Sequence, residues 1–590
     1  MKRVFSRKTF AVFAVILLAS CVLSAQEQRI QQTEQRVGAQ PERRRSVEPP
    51  AKKLSAEERE NVMQMLESSE GQARGIEDPG SRAYALLQLA RSYQAANRKK
   101  SLALLEDALT SARSMETGDS RPRSTAKRTL QEQILNTMVP ITAERVDELL
   151  SEVDLDVRER VLIALLSYYE KNNELDRAID MIYRIGQEQE IPYAAVNRVM
   201  ARMKPEQSAE IQQLFTNALS SFRDHEHTGM SRIGPGDFGA LVTSYYKQLP
   251  PVLVQQAIDV LLSNAKKQDE KGEDKSKISI ASAKGAAQLN SQYEYRLFQL
   301  LPIIREFDER QAEKLLKDQQ NLQTLLDRYP QGLGGVAPET SRPDSGERRR
   351  EAGGGTSFMV SSGGPGPGGP GPGGPGRGGP GGPGAGRPMP SPVEMQRASK
   401  IVADADEHPQ DALANASALS DPRQKTSALL GIARATLKKN SSVARAALGK
   451  ALDAMAPLQP DDQIMQLRDV AGMYLQLNET EDAKKVIEKG IALAEKVYKT
   501  DVNADDPNTA MKAYWPSTNG WRSMIASAVR ISPPWAQGLL KEIPDDDIRT
   551  IVQIGLANSL LGVSQGNITV MSQTKSGASM MMMQEDREER

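Results

Sequence analysis

Three histidines in 590 residues leave this chain few side chains that titrate near neutral pH. His225 and His227, in the run Asp224-His225-Glu226-His227, are the cluster whose residue types best suit a metal ion. Side chains two residues apart diverge on a helix, and no distant third ligand is recognisable. We interpret this run as a solvated loop, and we expect no metal, no cofactor and no catalytic site.

The only cysteine, Cys21, lies in a segment with the features of a bacterial-type export signal. Residues 1–25 combine a basic start with the apolar run Phe10–Ala19, which is short for a permanent membrane span. The run Leu18-Ala19-Ser20-Cys21 resembles the lipobox of bacterial lipoproteins, which implies a lipid on the Cys21 thiol. Leu23-Ser24-Ala25 offers an ordinary cleavage site instead. Both alternatives predict an exported protein in the periplasm or cell envelope.

All three tryptophans lie between Trp515 and Trp535. Trp521 and Trp535 share helical spacing with apolar residues, which predicts that both belong to a core. Trp515 precedes Pro516 at a helix start, so it is the tryptophan that we expect to be exposed. One hypothesis is that Tyr514 and Trp515 line a partner-binding groove, and the alternative is a local packing anchor.

Carboxylates are abundant, but their number does not identify a reaction. The chain has 76 acidic and 76 basic residues, so it lacks the positive charge typical of proteins that bind duplex nucleic acid. No GxSxG, Walker, HExxH or paired CxxC motif is present. A glycosidase-type pair of carboxylates stays open as an alternative, because helical surfaces carry many acidic residues and one sequence does not separate the two cases.

A helical hairpin pattern recurs in the chain. Residues 78–108 read as an Asp-Pro turn followed by two amphipathic helices, and the same turn, Ala-Leu-Leu triplet, Ala-Arg pair and closing Asn return from Asp421. A second sequence pattern, Leu149–Arg158, recurs as Leu539–Arg549 and predicts capped turns between helices. Such recurrence is typical of stacked helical repeats, which predicts an all-α solenoid of antiparallel helix pairs.

One unit, Leu467–Ala494, resembles a tetratricopeptide repeat at Leu467, Tyr474, Ala483 and Gly490. The Tyr-to-Ala spacing returns at Tyr169. The resemblance implies a superhelical stack of helix pairs and a partner-binding role without an active site. It is incomplete, because Leu467 stands where that family often has Trp.

Composition divides the chain into six segments. A Gly/Pro segment with a five-residue period replaces the helical pattern in the middle of the chain, and it is not a collagen repeat. The predicted segments are a signal peptide at 1–25, a disordered polar leader at 26–53, an N-terminal helical-repeat block at 54–329, a disordered linker at 330–392, a C-terminal helical-repeat block at 393–563 with its tetratricopeptide-like unit at 464–497, and a disordered tail at 564–590.

These patterns favour a non-enzymatic exported scaffold that binds protein or peptide partners along a helical-repeat surface. The alternative is an envelope glycan-binding or glycan-cleaving protein that uses paired carboxylates. We expect no nucleic-acid partner, and membrane contact only through a lipid on Cys21.

Overall fold

The computed structural model describes residues 55–116, 121–225, 236–270, 277–282, 285–317, 319–336, 357–361, 392–503 and 511–563. The described residues from Glu57 onward belong to one packed unit, Glu57–Arg590, and Ser55 and Ala56 precede it. Cys21, His227, the polar leader and the tail lie outside the described residues. Within the described ranges the chain is an α-solenoid of packed helix pairs, which confirms the predicted fold class.

Helices make up most of the described chain. Those before the central linker are α1 (Ala56–Gly75), α2 (Pro79–Tyr93), α3 (Arg98–Arg113), α4 (Arg121–Met138), α5 (Ala143–Leu149), α6 (Leu155–Lys171), α7 (Leu175–Glu188), α8 (Tyr193–Met200), α9 (Ser208–Asp224), α10 (Phe238–Tyr245), α11 (Pro251–Glu270), α12 (Gln292–Phe307), α13 (Glu309–Leu316), α14 (Gln320–Arg328) and α15 (Leu333–Val336). Those after it are α16 (Pro392–Asp404), α17 (Pro409–Ser417), α18 (Pro422–Thr436), α19 (Ser441–Ala454), α20 (Pro460–Gln476), α21 (Thr480–Val502), α22 (Pro516–Val529), α23 (Pro533–Leu539) and α24 (Asp546–Leu561).

The two hairpins predicted from sequence begin in the same way. The Asp78 carboxylate accepts a hydrogen bond from the backbone N–H of Ser81 at 2.7 Å, and Asp421 accepts one from Gln424 at 2.9 Å. Proline follows each aspartate at the first helical position, where a missing N–H costs nothing. The asparagines that close the first helices, Asn97 and Asn440, cap the second helices with nearly identical backbone angles.

The two helix pairs that share the Tyr-to-Ala spacing also share a turn. Asn173 and Asn478 both adopt a positive φ, of 59° and 62°. Asparagine tolerates this left-handed conformation better than most residues. The turn returns a backbone N–H to the carbonyl of Tyr169 in one pair and of Tyr474 in the other, at 2.9 Å each. The same local chemistry therefore ends both helices.

The recurring pattern Leu149–Arg158 and Leu539–Arg549 adopts a similar fold in both places. A short helix runs into a 3-10 turn, Leu150–Glu152 or Leu540–Glu542, before the next long helix. Arg158 donates to the Leu150 carbonyl at 3.2 Å, and Arg549 donates to the Ile543 carbonyl at 2.6 Å. Both arginines thus satisfy carbonyls at the turn. The predicted acidic cap of the next helix forms at Asp545 but not at Asp154, whose side chain makes no capping hydrogen bond.

The helices stack in two layers. In layer A the helices pack side by side in the order α16, α18, α20, α22, α24, α2, α4, α6, α8, α10 and α12. Layer B contains the helix paired with each of the first ten, namely α17, α19, α21, α23, α1, α3, α5, α7, α9 and α11. The C-terminal block therefore precedes the N-terminal block in space, and both blocks contribute to one continuous array.

The pair α24–α1 joins the two chain ends. Gln553 on α24 donates to the Ser69 hydroxyl on α1 at 2.9 Å, and Thr550 lies 3.5 Å from the Gln72 amide oxygen. Met65 on α1 packs against the apolar core of the C-terminal helices. One helix pair of the array is thus composed of the first described helix and the last.

A small antiparallel sheet was not predicted. Its strands are β1 (Lys277–Ser282), β2 (Gly285–Leu289) and β3 (Ser357–Ser361), in the order β2-β1-β3. Ile278 lies between Leu289 and Val360 in the register, and Ile278 and Ile280 are buried. Their alternation with polar residues is the signal that sequence reasoning missed. The structure places β3 inside the segment predicted to be a disordered linker.

Candidate functional site

Tyr514 and Trp515, the predicted partner-binding residues, lie at the joint between α24 and α2. Tyr514 ends the 3-10 turn Lys512–Tyr514, and Trp515 precedes α22. Both side chains are half-buried. The Trp515 ring lies 6.2 Å from that of Tyr498 and packs against the core of its own block. Trp521 is fully buried and Trp535 packs against the same core, as predicted.

Tyr514 faces the opposite block. Its ring meets that of Tyr84 on α2 edge to face, with centroids 5.8 Å apart. Burial raises the pKa of Tyr514, and the nearby Arg91 guanidinium opposes this rise only in part. Within the described residues, the Tyr514 hydroxyl is buried without a hydrogen-bond partner. Tyr514 therefore acts as a contact between the two blocks of the same chain, and a groove for an external partner stays a prediction.

Two arginines at the joint are held without carboxylates. Arg522 on α22 donates to the Tyr84 hydroxyl and, at 2.7 Å, to the Asn519 side-chain oxygen. Its guanidinium lies 5.7 Å over the Tyr84 ring, and burial lowers the pKa of Arg522 to about 10. Burial also lowers the pKa of Arg91. Neither arginine forms an ion pair with a described residue.

Polar contacts fix the remainder of the joint. Asn558 on α24 is fully buried, contacts the Ser92 hydroxyl, and donates to the Gln88 carbonyl at 3.3 Å. The backbone N–H of Ala513 donates to the Ser81 hydroxyl at 3.2 Å. These bonds cross between chain ends and satisfy groups that would be costly to bury alone.

Gly80 provides the closest approach at this joint. A Cβ atom added there would lie 2.8 Å from the Met511 side chain. Glycine at the start of α2 therefore allows the segment before α22 to pack against the helix.

Lys512 attaches the 3-10 turn to the start of α24. Its ammonium group lies 2.8 Å from carboxylate oxygens of both Asp545 and Asp547. Burial lowers the pKa of Lys512, but the hydrogen bonds and charges of the two aspartates outweigh it and raise the pKa to about 12. Asp545 also caps α24 through the Ile548 N–H at 3.0 Å.

Many of the carboxylates form ion pairs between neighbouring helix pairs. Examples are Arg74 with Asp107 at 3.0 Å, Arg177 with Glu144 at 2.5 Å and Arg423 with Asp462 at 2.6 Å. These pairs are solvent-exposed, so each contributes little to stability. These acidic residues thus have partners on the neighbouring helix pairs.

Asp501 is a carboxylate in a different environment. It is buried at the end of α21 and accepts hydrogen bonds from the Ser517 N–H at 3.2 Å and hydroxyl at 2.6 Å. Burial raises the pKa of Asp501, the Ser517 hydrogen bonds oppose the rise, and the Asp461 charge adds to it. Its contacts hold the start of α22, which is a structural role.

The structure brings together no metal-binding group in the part that it describes. His225 places its ring Nδ1 2.8 Å from the Ser221 carbonyl. Among the described residues, no three His, Cys, Asp or Glu side chains are arranged to hold an ion. In the same ranges, none of the helices is both long enough and apolar enough to cross a membrane.

Equivalent exposed positions recur on layer A. Ile163 on α6 and Met465 on α20 are 42% and 62% exposed. Arg160 and Arg468, one helical turn from them, are also exposed. When the two helices are aligned at Tyr169 and Tyr474, Ile163 aligns with Arg468, and Arg160 aligns with Met465. Arg160 pairs with Glu132 and Arg468 pairs with Asp469. Each helix thus presents one apolar side chain and one ion-paired arginine to solvent on the same face.

Sequence reasoning missed Arg91, Arg522 and Asn558. Arg91 belongs to the Ala-Arg pair that repeats at Arg434, but Arg434 is exposed and lies 3.6 Å from Asp469. The environments of the two arginines differ because α24 and the 3-10 turn lie beside the helix of Arg91, whereas α20 lies beside the helix of Arg434. Asn558 had a weak signal, since it is a polar residue that directly follows the buried run Ile554–Ala557.

No protein-family model matches this chain, and no curated protein matches it by sequence. One solved structure to which it is similar is described as a "circular tandem repeat protein with novel repeat topology and enhanced subunit contact surfaces". That similarity has 10% sequence identity and a TM-score of 0.13, and it covers 86% of this chain and 96% of the other.

Proposed function

We propose that this protein is a non-enzymatic exported scaffold that binds protein or peptide partners along the exposed face of layer A. The observation that carries the proposal is the continuity of layer A through both blocks. Side-by-side helices offer a long surface on which many modest contacts add up. The resemblance of Leu467–Ala494 to a tetratricopeptide repeat supports the same role.

Ile163 and Met465 are the side chains on which we place the first contacts. Both are exposed apolar residues on layer A, and an arginine lies one turn away in each helix. This combination suits a peptide with apolar and acidic side chains. Burial of the apolar group gives affinity, and an acidic side chain of the peptide shares the exposed arginine with Glu132 or Asp469, which gives orientation.

Site-specific photo-crosslinking tests the proposal in cells that produce the protein. A photoreactive amino acid at Met465 or Ile163 is expected to give a discrete adduct of higher mass. Val252 on layer B, which is 70% exposed, is the matched control and is expected to give none. Equal adducts at Val252, or none at Met465 and Ile163, would contradict a binding surface on layer A.

A charge substitution separates binding from stability. With the photoreactive amino acid at Ile163, Met465→Glu is expected to reduce the adduct, and Ile163→Glu is expected to do the same when the probe is at Met465. The melting temperature should change little, because both positions are exposed. Loss of adduct together with a large drop in melting temperature would indicate that these residues are structural instead.

Export and anchoring form part of the proposal. The basic and apolar start of the chain supports export, and the run ending in Cys21 supports a lipid anchor as one of two alternatives. The intact mass of the mature protein decides between them. An unmodified N-terminus at Gln26 would exclude the anchor.

The alternative function, a glycan-binding or glycan-cleaving protein, has less support. Such an enzyme needs two carboxyl groups facing one cleft, one of them kept protonated by a raised pKa. Asp501 has a raised pKa, but its hydrogen bonds to Ser517 give it a structural role. Many of the exposed carboxylates form ion pairs between helix pairs.

A further inference from the structure

The joint between α24 and α2 differs from the other joints of layer A in how the chain connects its two sides. Elsewhere in layer A, neighbouring helices are linked through the intervening layer B helix. At this joint the two helices belong to opposite ends of the chain, and the covalent path between them runs through the whole array. The joint therefore forms by docking of two surfaces.

The C-terminal side of the joint has its own apolar core. Buried side chains from Ala398 to Leu556 form one cluster, to which α1 adds only the partly buried Met65. On the other side, α2 and α3 pack closely, with Leu86, Leu89 and Leu105 fully buried. Undocking would therefore separate α24 from α1 and α2, while the other helix pairs on both sides keep their apolar contacts.

The two docking surfaces are different and complementary. One supplies Met511, Arg522 and Asn558, and the other supplies Gly80 and Tyr84. A contact between two unlike surfaces is heterologous, so every copy of the chain carries both halves. The C-terminal surface of one copy fits the N-terminal surface of another copy as well as it fits its own.

Covalent reach limits docking within one chain. Thirty residues, 362–391, connect β3 at one end of the array to α16 at the other. At about 3.3 to 3.6 Å per residue, they reach at most about 100 to 110 Å. The described layer A helices, at about 8 to 10 Å each, extend about 80 to 100 Å along the layer. Shortening this connection would oppose the joint within one chain and leave the joint between two chains unaffected.

We propose that the α24–α2 joint is exchangeable, and that a second copy of this chain is a binding partner. In the exchanged dimer, α24 and the 3-10 turn of each copy dock on α1 and α2 of the other. Two such reciprocal contacts close the assembly, because each copy uses both of its surfaces. This proposal rests on the joint alone and is independent of the proposed scaffold function.

An engineered disulfide distinguishes the two forms of the joint. Because the Ser81 hydroxyl lies 3.2 Å from the Ala513 backbone nitrogen, Ser81→Cys with Ala513→Cys places two thiols across the joint. Cys21→Ser removes the natural cysteine. On a non-reducing gel, a bond within one chain leaves the monomer mass, and a bond between chains doubles it.

Three full-length chains carry this pair: the natural linker, a deletion of residues 363–387, and a duplication of the same residues. After refolding at low and high protein concentration, the natural chain is expected to shift from monomeric to dimeric crosslinks. The deletion is expected to give mainly dimers, and the duplication mainly monomers.

Light scattering on the same chains without the added cysteines provides a second measurement. The expected result is a dimer mass near twice the monomer for the deletion, and a several-fold smaller dimer fraction when Asn558→Ala weakens the joint. Monomeric crosslinks alone in all three chains would overturn the proposal. So would a deletion variant that forms no crosslink, or dimers that Asn558→Ala leaves unchanged.

Discussion

Replacement of Asn558 by alanine tests whether the chain ends are held together as the structure indicates. Asn558 is fully buried on α24, contacts the Ser92 hydroxyl, and donates to the Gln88 carbonyl. A net contribution of about 1 kcal/mol for each bond gives a loss of about 2 kcal/mol, and the missing side-chain volume adds to it. That loss raises the equilibrium constant of unfolding roughly thirtyfold.

Tryptophan fluorescence during urea unfolding measures this loss. All three tryptophans lie at 515–535, beside the joint, so the signal reports on this region. Asn503→Ala is the matched control, because Asn503 is exposed at the end of α21 and donates to the Lys499 carbonyl. We expect a change within about 0.5 kcal/mol for the control. An equally small change for Asn558→Ala would refute the assignment of stability to the joint.

Three further substitutions test the local physics. Gly80→Ala places a Cβ 2.8 Å from the flexible side chain of Met511, which must shift within the joint, and should cost about 1 kcal/mol in urea unfolding. Gly449→Ala, with nothing within 4 Å, should stabilise by up to about 1 kcal/mol, and equal effects would contradict the close approach. Lys512→Met removes a lysine whose pKa is raised in the folded chain. The lysine therefore stabilises the fold fully at pH values below its unfolded pKa of about 10.4. Its destabilisation should therefore be full at pH 8 and shrink toward pH 12, and a constant difference would exclude the two aspartates as the cause. Asp501→Asn removes a carboxyl whose pKa is raised in the folded chain. The natural chain therefore loses stability as the pH rises from about 4, the unfolded pKa of an aspartate, toward the higher folded pKa. The variant should lack that slope between pH 3.5 and 7, and an unchanged slope would show that other groups produce it.

The sequence predicted what depends on neighbours along the chain. Asp78 and Asp421 cap their helices alike because an aspartate oxygen reaches the N–H three residues ahead in any such turn. Asn173 and Asn478 adopt the same left-handed turn for a similarly local reason. The helix pairs and the fold class follow from such patterns, and the structure confirms them.

The three-stranded sheet is the element that the sequence patterns did not predict. β1 and β2 are short and lie beside a charged segment, and β3 lies in a region of Gly/Pro composition. A strand of five or six residues is stabilised by pairing with distant strands, and the register Ile278 with Val360 has no local signature. The sequence patterns thus assigned no element to β1 and β2 and predicted a disordered linker over β3, where tertiary contacts form strands.

The sequence alone determined that this protein is a stack of helix pairs, because caps and apolar spacing act within one or two turns of a helix. Tertiary structure alone decided the order of the stack, in which α24 precedes α2. Arg91 and Arg434 occupy matching places in the sequence, yet one faces an aromatic joint and the other an aspartate. That difference depends on residues more than 400 positions away, Tyr514 among them, whose proximity results from packing between surfaces.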